Sequence, residues 1–280
     1  MQLESKTMRL NHADTVPYLT YDSFSEIKWI RHAFSTRLGG VSEGEFTSMN
    51  LAFNRGDDPA HVTENYKRLC DSAGLSFDSL VASAQDHHTY VRAVTAADCG
   101  IGITKPRDMP SVDALITNDP GVTLVTYYAD CTPLFFVDAK NRAIGLAHAG
   151  WRGTVGRIGE KVIEKMTALY GTDPKDVKAA VGPAISVCCY EVDEPCAAHF
   201  LALHDLDTAR FVFPKQGGKY RLDLLECNRQ ILTAAGVPAE NITVSDVCTN
   251  CHSDLLWSHR ATKGHRGTMS AFLSVVRSDK

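Results

Sequence analysis

The chain has 280 residues, 44% of them hydrophobic and 22% charged, so surface scaling predicts about 73% of the unfolded surface buried and a substantial core. Its 29 basic and 33 acidic residues give a formal charge of −4, and the basic residues are scattered, which argues against a nucleic-acid footprint and points to small-molecule chemistry. The first twenty residues carry no apolar signal core, no run reaches the ~18 apolar residues of a membrane span, and nine cysteines in such a chain read as free thiols; a cytoplasmic protein that binds no membrane is expected.

In chain order, runs of apolar, β-branched and aromatic residues predict a strand at 30–36, a helix over Pro59–Ala73, then strands at 81–85, 90–94, 112–116, 122–128, 133–137 and 142–147. After Gly156, the residues Ile158, Val162, Ile163, Met166 and Leu169 recur at helical spacing and predict a helix with one apolar face. A strand at 178–181, helices at 194–203 and 222–235, and strands at 242–245 and 269–275 complete the pattern. Strands concentrate in the middle of the chain with helices around them, so the expected class is α/β (α+β), a layered sandwich with largely antiparallel pairing. No linker or repeat divides residues 1–280, which are read as one domain whose first ~25 residues are peripheral.

Two apolar runs flank Asp138-Ala-Lys-Asn-Arg142, a turn composition, and predict a hairpin. A symmetric turn centred between Ala139 and Lys140 sets Cys131 directly opposite His148, with Cβ atoms ~4.5–5.5 Å apart, a separation over which thiolate and imidazole share a metal ion. The alternative is a small buried cysteine beside a histidine that merely ends a strand. A third ligand is available in Gln85-Asp86-His87-His88, where adjacent histidines on a strand face opposite ways and only one enters the site. Ser35-Thr-Arg37-Leu-Gly-Gly-Val-Ser42 runs from a strand into a glycine turn, with hydroxyls and a guanidinium suited to an oxyanion; on spacing alone it is equally a surface turn with a solvated arginine.

Taken together, Ser35–Ser42, Ser48-Met-Asn-Leu51, Gly56-Asp-Asp-Pro59, Gln85-x-His87, Asp113-Ala-Leu-Ile116, Ala129-Asp-Cys-Thr-Pro133, His148-Ala-Gly-Trp-Arg-Gly153, Gly182-Pro-Ala-Ile185 and Cys248-Thr-x-Cys251 resemble the laccase-domain family. Its members have been described as multicopper polyphenol oxidases, purine nucleoside phosphorylases and peptidoglycan-editing factors. The resemblance runs over residues 30–275 and implies a single-domain α/β/β/α sandwich. It also implies a zinc site, with copper as the alternative ion, at His87, Cys131 and His148, and a substrate-site role for Arg37. The activity it implies is phosphorolysis of purine nucleosides such as inosine and adenosine, with adenosine deamination and methylthioadenosine cleavage beside it. His88 stands where the family commonly has glycine, and Thr268 where many members have arginine. Asp130 is expected to orient a ligand histidine or to cap a strand end.

Three protein ligands leave one coordination position open, the arrangement of a catalytic zinc. No two histidines are two residues apart, so the paired motifs of a true laccase are missing, and the His-x-Glu and Pro-Cys-x-x-Cys signature of cytidine deaminases is absent too. A metal-free hydrolase with Cys131 as nucleophile and His148 as base, editing peptidoglycan precursors, is the alternative from another class. Cys248-x-x-Cys251 has no second pair close in sequence and is read as packing or a substrate wall. His12, His32, His61, His199, His204, His259 and His265 carry no spacing signal and are read as packing or surface residues.

Overall fold

The computed structural model describes residues 3–11 and 16–277, so His12 lies outside the described residues. Its strands and helices, numbered along the chain, are β1 (Met8–Asn11), β2 (Tyr18–Tyr21), β3 (Ile30–Ser35), α1 (Pro59–Ala73), β4 (Leu80–Ala82), β5 (Val91–Ala93), β6 (Ala114–Thr117), β7 (Thr123–Tyr128), β8 (Thr132–Asp138), β9 (Ala143–Ala149), α2 (Trp151–Val155), α3 (Ile158–Tyr170), β10 (Val177–Val181), β11 (Glu191–Asp193), α4 (Glu194–Leu201), β12 (Val212–Pro214), β13 (Lys219–Leu222), α5 (Leu224–Ala234), β14 (Ile242–Val244), α6 (His259–Thr262) and β15 (Met269–Val275). One six-stranded sheet has the order β1-β2-β3-β15-β7-β4, a second the order β14-β10-β8-β9-β6-β5, and β11-β13-β12 form a small third sheet. Pairing is antiparallel except between β4 and β7, β5 and β6, and β10 and β14.

The two large sheets pack face to face. Strand alternation decides which side chains meet there: Phe135 and Val137 of β8 and Ile144 and Leu146 of β9 join Phe34, Leu124, Tyr128 and Leu273 of the other sheet in one buried cluster. Leu134 and Phe136 point the opposite way, onto Ile158, Val162, Ile163 and Met166 of α3 and Leu225 and Leu232 of α5. Gly145 allows α3 to settle on β9, since a Cβ there would stand 3.0 Å from Val162 and 3.2 Å from the Met166 sulfur. On the outer face of the first sheet, Val62, Tyr66, Leu69 and Cys70 of α1 cover Val125 and Phe272. The layers are therefore helix, sheet, sheet, helix, as expected from the sequence.

Several sequence expectations are corrected here. Leu169, assigned to the apolar face of α3, is 51% exposed near the end of that helix. The N-terminal segment forms the edge strand β1 and its neighbour β2, and it sends Leu19, Tyr21 and Phe24 into the inter-sheet core. The third sheet, with β11 and β12 of only three residues each, closes with α4 over Phe200, Phe211 and Leu222 and was not expected at all. The hairpin register is shifted: Pro133 pairs with His148 and Asp138 with Ala143, because the Asp138 carboxylate accepts the Lys140 and Asn141 amides and Arg142 turns through a left-handed φ of 51°. Cys131 is consequently diagonal to His148, not opposite it. The shift is by two positions, so both side chains keep to the inter-sheet face; a one-residue slip would have separated them. Among the described residues, no helix is long and apolar enough to cross a membrane.

Candidate metal centre

His148 continues the inward row of Ile144 and Leu146 at the end of β9, and Cys131 enters at the start of β8, just after Asp130 turns through a left-handed φ of 85°. His87 arrives from the loop after β4, itself at a φ of 69°. Gln85 fixes that loop with its side-chain amide, accepting the Tyr127 N–H at 2.6 Å and donating to the Tyr127 carbonyl at 2.8 Å. The result is that one donor atom each from His87, Cys131 and His148 lies within 4.8 Å of the other two. The two imidazole rings meet edge to face with centroids 4.8 Å apart. His88 points elsewhere: it is exposed and its Nδ1 lies 2.9 Å from the Asp86 carboxylate.

The organising group behind these ligands is Asp113, fully buried just before β6. Its Oδ1 lies 2.8 Å from His148 Nδ1, and its two oxygens accept the backbone N–H groups of Asp86, His87 and His88. The Asp113 carbonyl in turn accepts the His148 amide at 2.8 Å. One carboxylate thus fixes both histidine ligands, and engaging Nδ1 of His148 leaves Nε2 as its free donor. Of the two roles expected for Asp130, orienting a ligand histidine or capping a strand end, the first is corrected: Asp130 accepts the Thr249 hydroxyl at 2.6 Å and the Arg260 amide at 2.7 Å, tying down the chain beside Cys131. Asp113 was visible only as part of a motif, because nothing in its spacing links it to His148 across 35 residues.

Burial on its own would lower the His148 pKa, but the Cys131 sulfur and the Asp113 carboxylate outweigh it and raise the group to about 9. His87 is held below its ordinary value by burial and then by the neighbouring His148. The donor set tests well for a metal. Soft sulfur and two imidazoles suit zinc or copper. Gly150 also leaves the centre open: a Cβ there would stand 2.8 Å from His87 Nδ1, 3.3 Å from Cys131 Sγ and 3.5 Å from His148 Cε1.

The cleft over these ligands is also lined by Tyr127, Arg55, Arg107 and Arg266. Arg266 is largely buried beside Arg55; burial and then that like charge push it down to about 10, so it stays cationic near neutrality. Its Nε has no hydrogen-bond partner among the described residues. Arg37 is not part of the lining. Its guanidinium lies 3.8 Å from the Trp257 ring centroid and donates to the Ser253 carbonyl at 2.7 Å, so its planar face and one arm are already engaged. The cationic groups of the cleft come from the segments at 55, 107 and 266, which have no helical or strand period and so gave no signal in the sequence.

The model of the family described as multi-copper polyphenol oxidoreductase laccase matches residues 31–276. The purine nucleoside phosphorylase YlmD of Geobacillus stearothermophilus is 37% identical over 249 residues, spanning 85% of this chain and 88% of that protein. A purine nucleoside phosphorylase of Deinococcus radiodurans is 39% identical over 248 residues, with 89% and 90% covered. The crystal structure of YlmD from Geobacillus stearothermophilus superposes with a TM-score of 0.84 at 33% identity, covering 96% of this chain and 99% of that one. The hypothetical protein YfiH of Bacillus licheniformis gives 0.88 at 32% identity, with 96% and 98% covered.

Proposed function

We propose, from the premise that the chain belongs to the multi-copper polyphenol oxidoreductase laccase family, that it is a purine nucleoside phosphorylase, as two of its relatives are named, and that its activity depends on zinc. The observation that carries this reading is the meeting, in one cleft, of an open His87–Cys131–His148 donor set and the Arg55–Arg266 guanidinium pair. Phosphorolysis requires a phosphate oxygen to form a bond to C1′ while the C1′–N9 bond breaks and its electron pair leaves with the purine, which takes up a proton. We assign the phosphate to Arg266 and Arg55, where the buried Nε–H of Arg266 is a donor awaiting an acceptor. His87, Cys131 and His148 are assigned to zinc, which when bound supplies Lewis acidity toward the charge that develops in the reaction. Tyr127 provides an aromatic wall for the base. Inosine and adenosine are the proposed substrates, with methylthioadenosine cleavage and adenosine deamination as further activities of the same site.

A multicopper reading fits poorly, because the described residues offer two clusters of metal-ligating side chains, of which one contains histidine. A thiol hydrolase is the second reading, favoured by the proximity of His148 to Cys131 and the raised His148 pKa. Incubation of the purified protein with inosine or adenosine, with and without phosphate, separates them. Free base plus ribose 1-phosphate supports phosphorolysis, and ammonia from adenosine supports deamination. Absence of both products refutes the proposal and advances the hydrolase, and full nucleoside cleavage by a Cys131→Ala variant refutes the proposal as well.

A further inference from the structure

We propose that Cys188, Cys189, Cys248 and Cys251 bind a second zinc ion in a closed tetrathiolate site that braces the catalytic centre from outside. Their four sulfurs lie within 4.8 Å of one another, with Cys188 and Cys189 at 3.6 Å, Cys188 and Cys251 at 3.6 Å, and Cys189 and Cys251 at 3.4 Å. These separations exceed the ~2.05 Å of a disulfide by far. They approach the ~3.8 Å between sulfurs set tetrahedrally around zinc at ~2.3 Å. Four protein donors leave no open position, the mark of a structural rather than a catalytic site.

The surrounding backbone favours a thiolate at Cys248. Cys248 Sγ accepts the Ser186 N–H at 3.4 Å. The Asn250 side chain donates to Cys189 Sγ at 3.2 Å. Four mutually adjacent sulfurs with N–H donors directed at them would repel one another as unpartnered thiolates, and a dication removes that repulsion. The sequence hid this arrangement because the partner of the Cys-x-x-Cys pair is an adjacent pair 62–63 residues upstream, brought alongside by the bridge between Ala184 and Cys248.

The clasp joins the loop after β10 to the loop before α6, and both loops end on Asp130. The Ile185 amide donates to its carbonyl at 3.0 Å, while the Thr249 hydroxyl and the Arg260 amide donate to its carboxylate. Asp130 immediately precedes Cys131, so the clasp sets the position of that ligand without lining the cleft itself.

The test is metal and thiol analysis of the native protein. Wild type is expected to hold about two zinc ions per chain, one for each cluster, and Cys248→Ser and Cys131→Ala variants about one each. A mercurial titrated into native wild type should release one zinc with the four clasp thiols, a measurement that stands even where Cys248→Ser fails to fold. Cobalt substitution should show intense sulfur-to-metal charge transfer in Cys131→Ala, and in Cys248→Ser that band should fall to the weak intensity of the single thiolate at the Cys131 centre. Wild-type protein with a single zinc and four clasp thiols reacting without metal release overturns the proposal, as does iron at the clasp or recovery of these cysteines as disulfides. Failure of nucleoside cleavage alone leaves the two-zinc stoichiometry intact, so this inference and the phosphorylase reading fail separately.

Discussion

Gly150→Ala is the smallest change that should empty the catalytic centre while sparing the fold. Gly150 sits at φ −66° and ψ 173°, extended backbone that alanine adopts freely, so no glycine conformation is lost. Removing a glycine from the unfolded chain stabilises by about 0.4–1 kcal/mol, and replacing glycine by alanine at the N-cap of α2 costs about as much, so metal-free stability should change by less than about 1 kcal/mol. The added methyl, however, would stand 2.8 Å from His87 Nδ1, 3.3 Å from Cys131 Sγ and 3.5 Å from His148 Cε1, crowding all three ligand residues at once. Losing an outer partner of a metal ligand costs 10–100-fold in affinity; obstructing the centre itself should cost at least about 100-fold. Zinc affinity by chelator competition, turnover, and urea unfolding in chelator form the assay. Wild-type zinc affinity and turnover in Gly150→Ala would refute the placement of the metal.

Asp113→Asn leaves one acceptor oxygen where the carboxylate serves three backbone amides and His148, so zinc affinity should fall by roughly 10–100-fold and stability by about 1–3 kcal/mol; isothermal binding and denaturant titration report both. Arg266→Lys should raise the KM for phosphate by roughly 10–100-fold, because an ammonium cannot reproduce the planar fork, whereas Arg37→Lys should lower stability through the lost Trp257 stack and leave that KM unchanged; steady-state kinetics in phosphate would reveal the reverse if Arg37 holds the anion. His32 Nε2 accepts the Tyr21 amide at 2.7 Å, and burial lowers its pKa to about 4, well below the ordinary 6.5. The unfolded chain therefore binds the extra proton between those values. Stability should decline as pH falls from 6.5 toward 4 and level off below it, by at most about 3 kcal/mol, and His32→Gln should flatten that window in urea titrations.

Fold and site were legible to different degrees, for physical reasons. The central strands and helices were readable because they are buried on a defined face: α1 starts and stops where Pro59 and Gly74 require, and β15 is buried throughout. The convergence of His87, Cys131 and His148 was readable because β8 and β9 are consecutive and the error in register was even, preserving the face of Cys131 and His148. What stayed hidden depends on contacts between distant segments. Asp113 reaches His148 and the His87 loop only through sheet pairing of β6 with β9, and Cys188-Cys189 meets Cys248 and Cys251 only through a bridge between irregular loops. The stacking of Arg37 on Trp257, away from the cleft lining, was not legible because a guanidinium beside a glycine turn looks the same in sequence whether it faces a substrate or an indole.

The central claim rests on zinc at His87, Cys131 and His148 supporting phosphorolysis, and one experiment addresses it directly. Protein stripped of metal at this centre and then reloaded with one equivalent of zinc or copper is assayed for ribose 1-phosphate formed from inosine and phosphate. The account predicts no product from the stripped protein, full recovery with zinc, and no recovery in Cys131→Ala. Undiminished ribose 1-phosphate formation by rigorously zinc-free protein would contradict it.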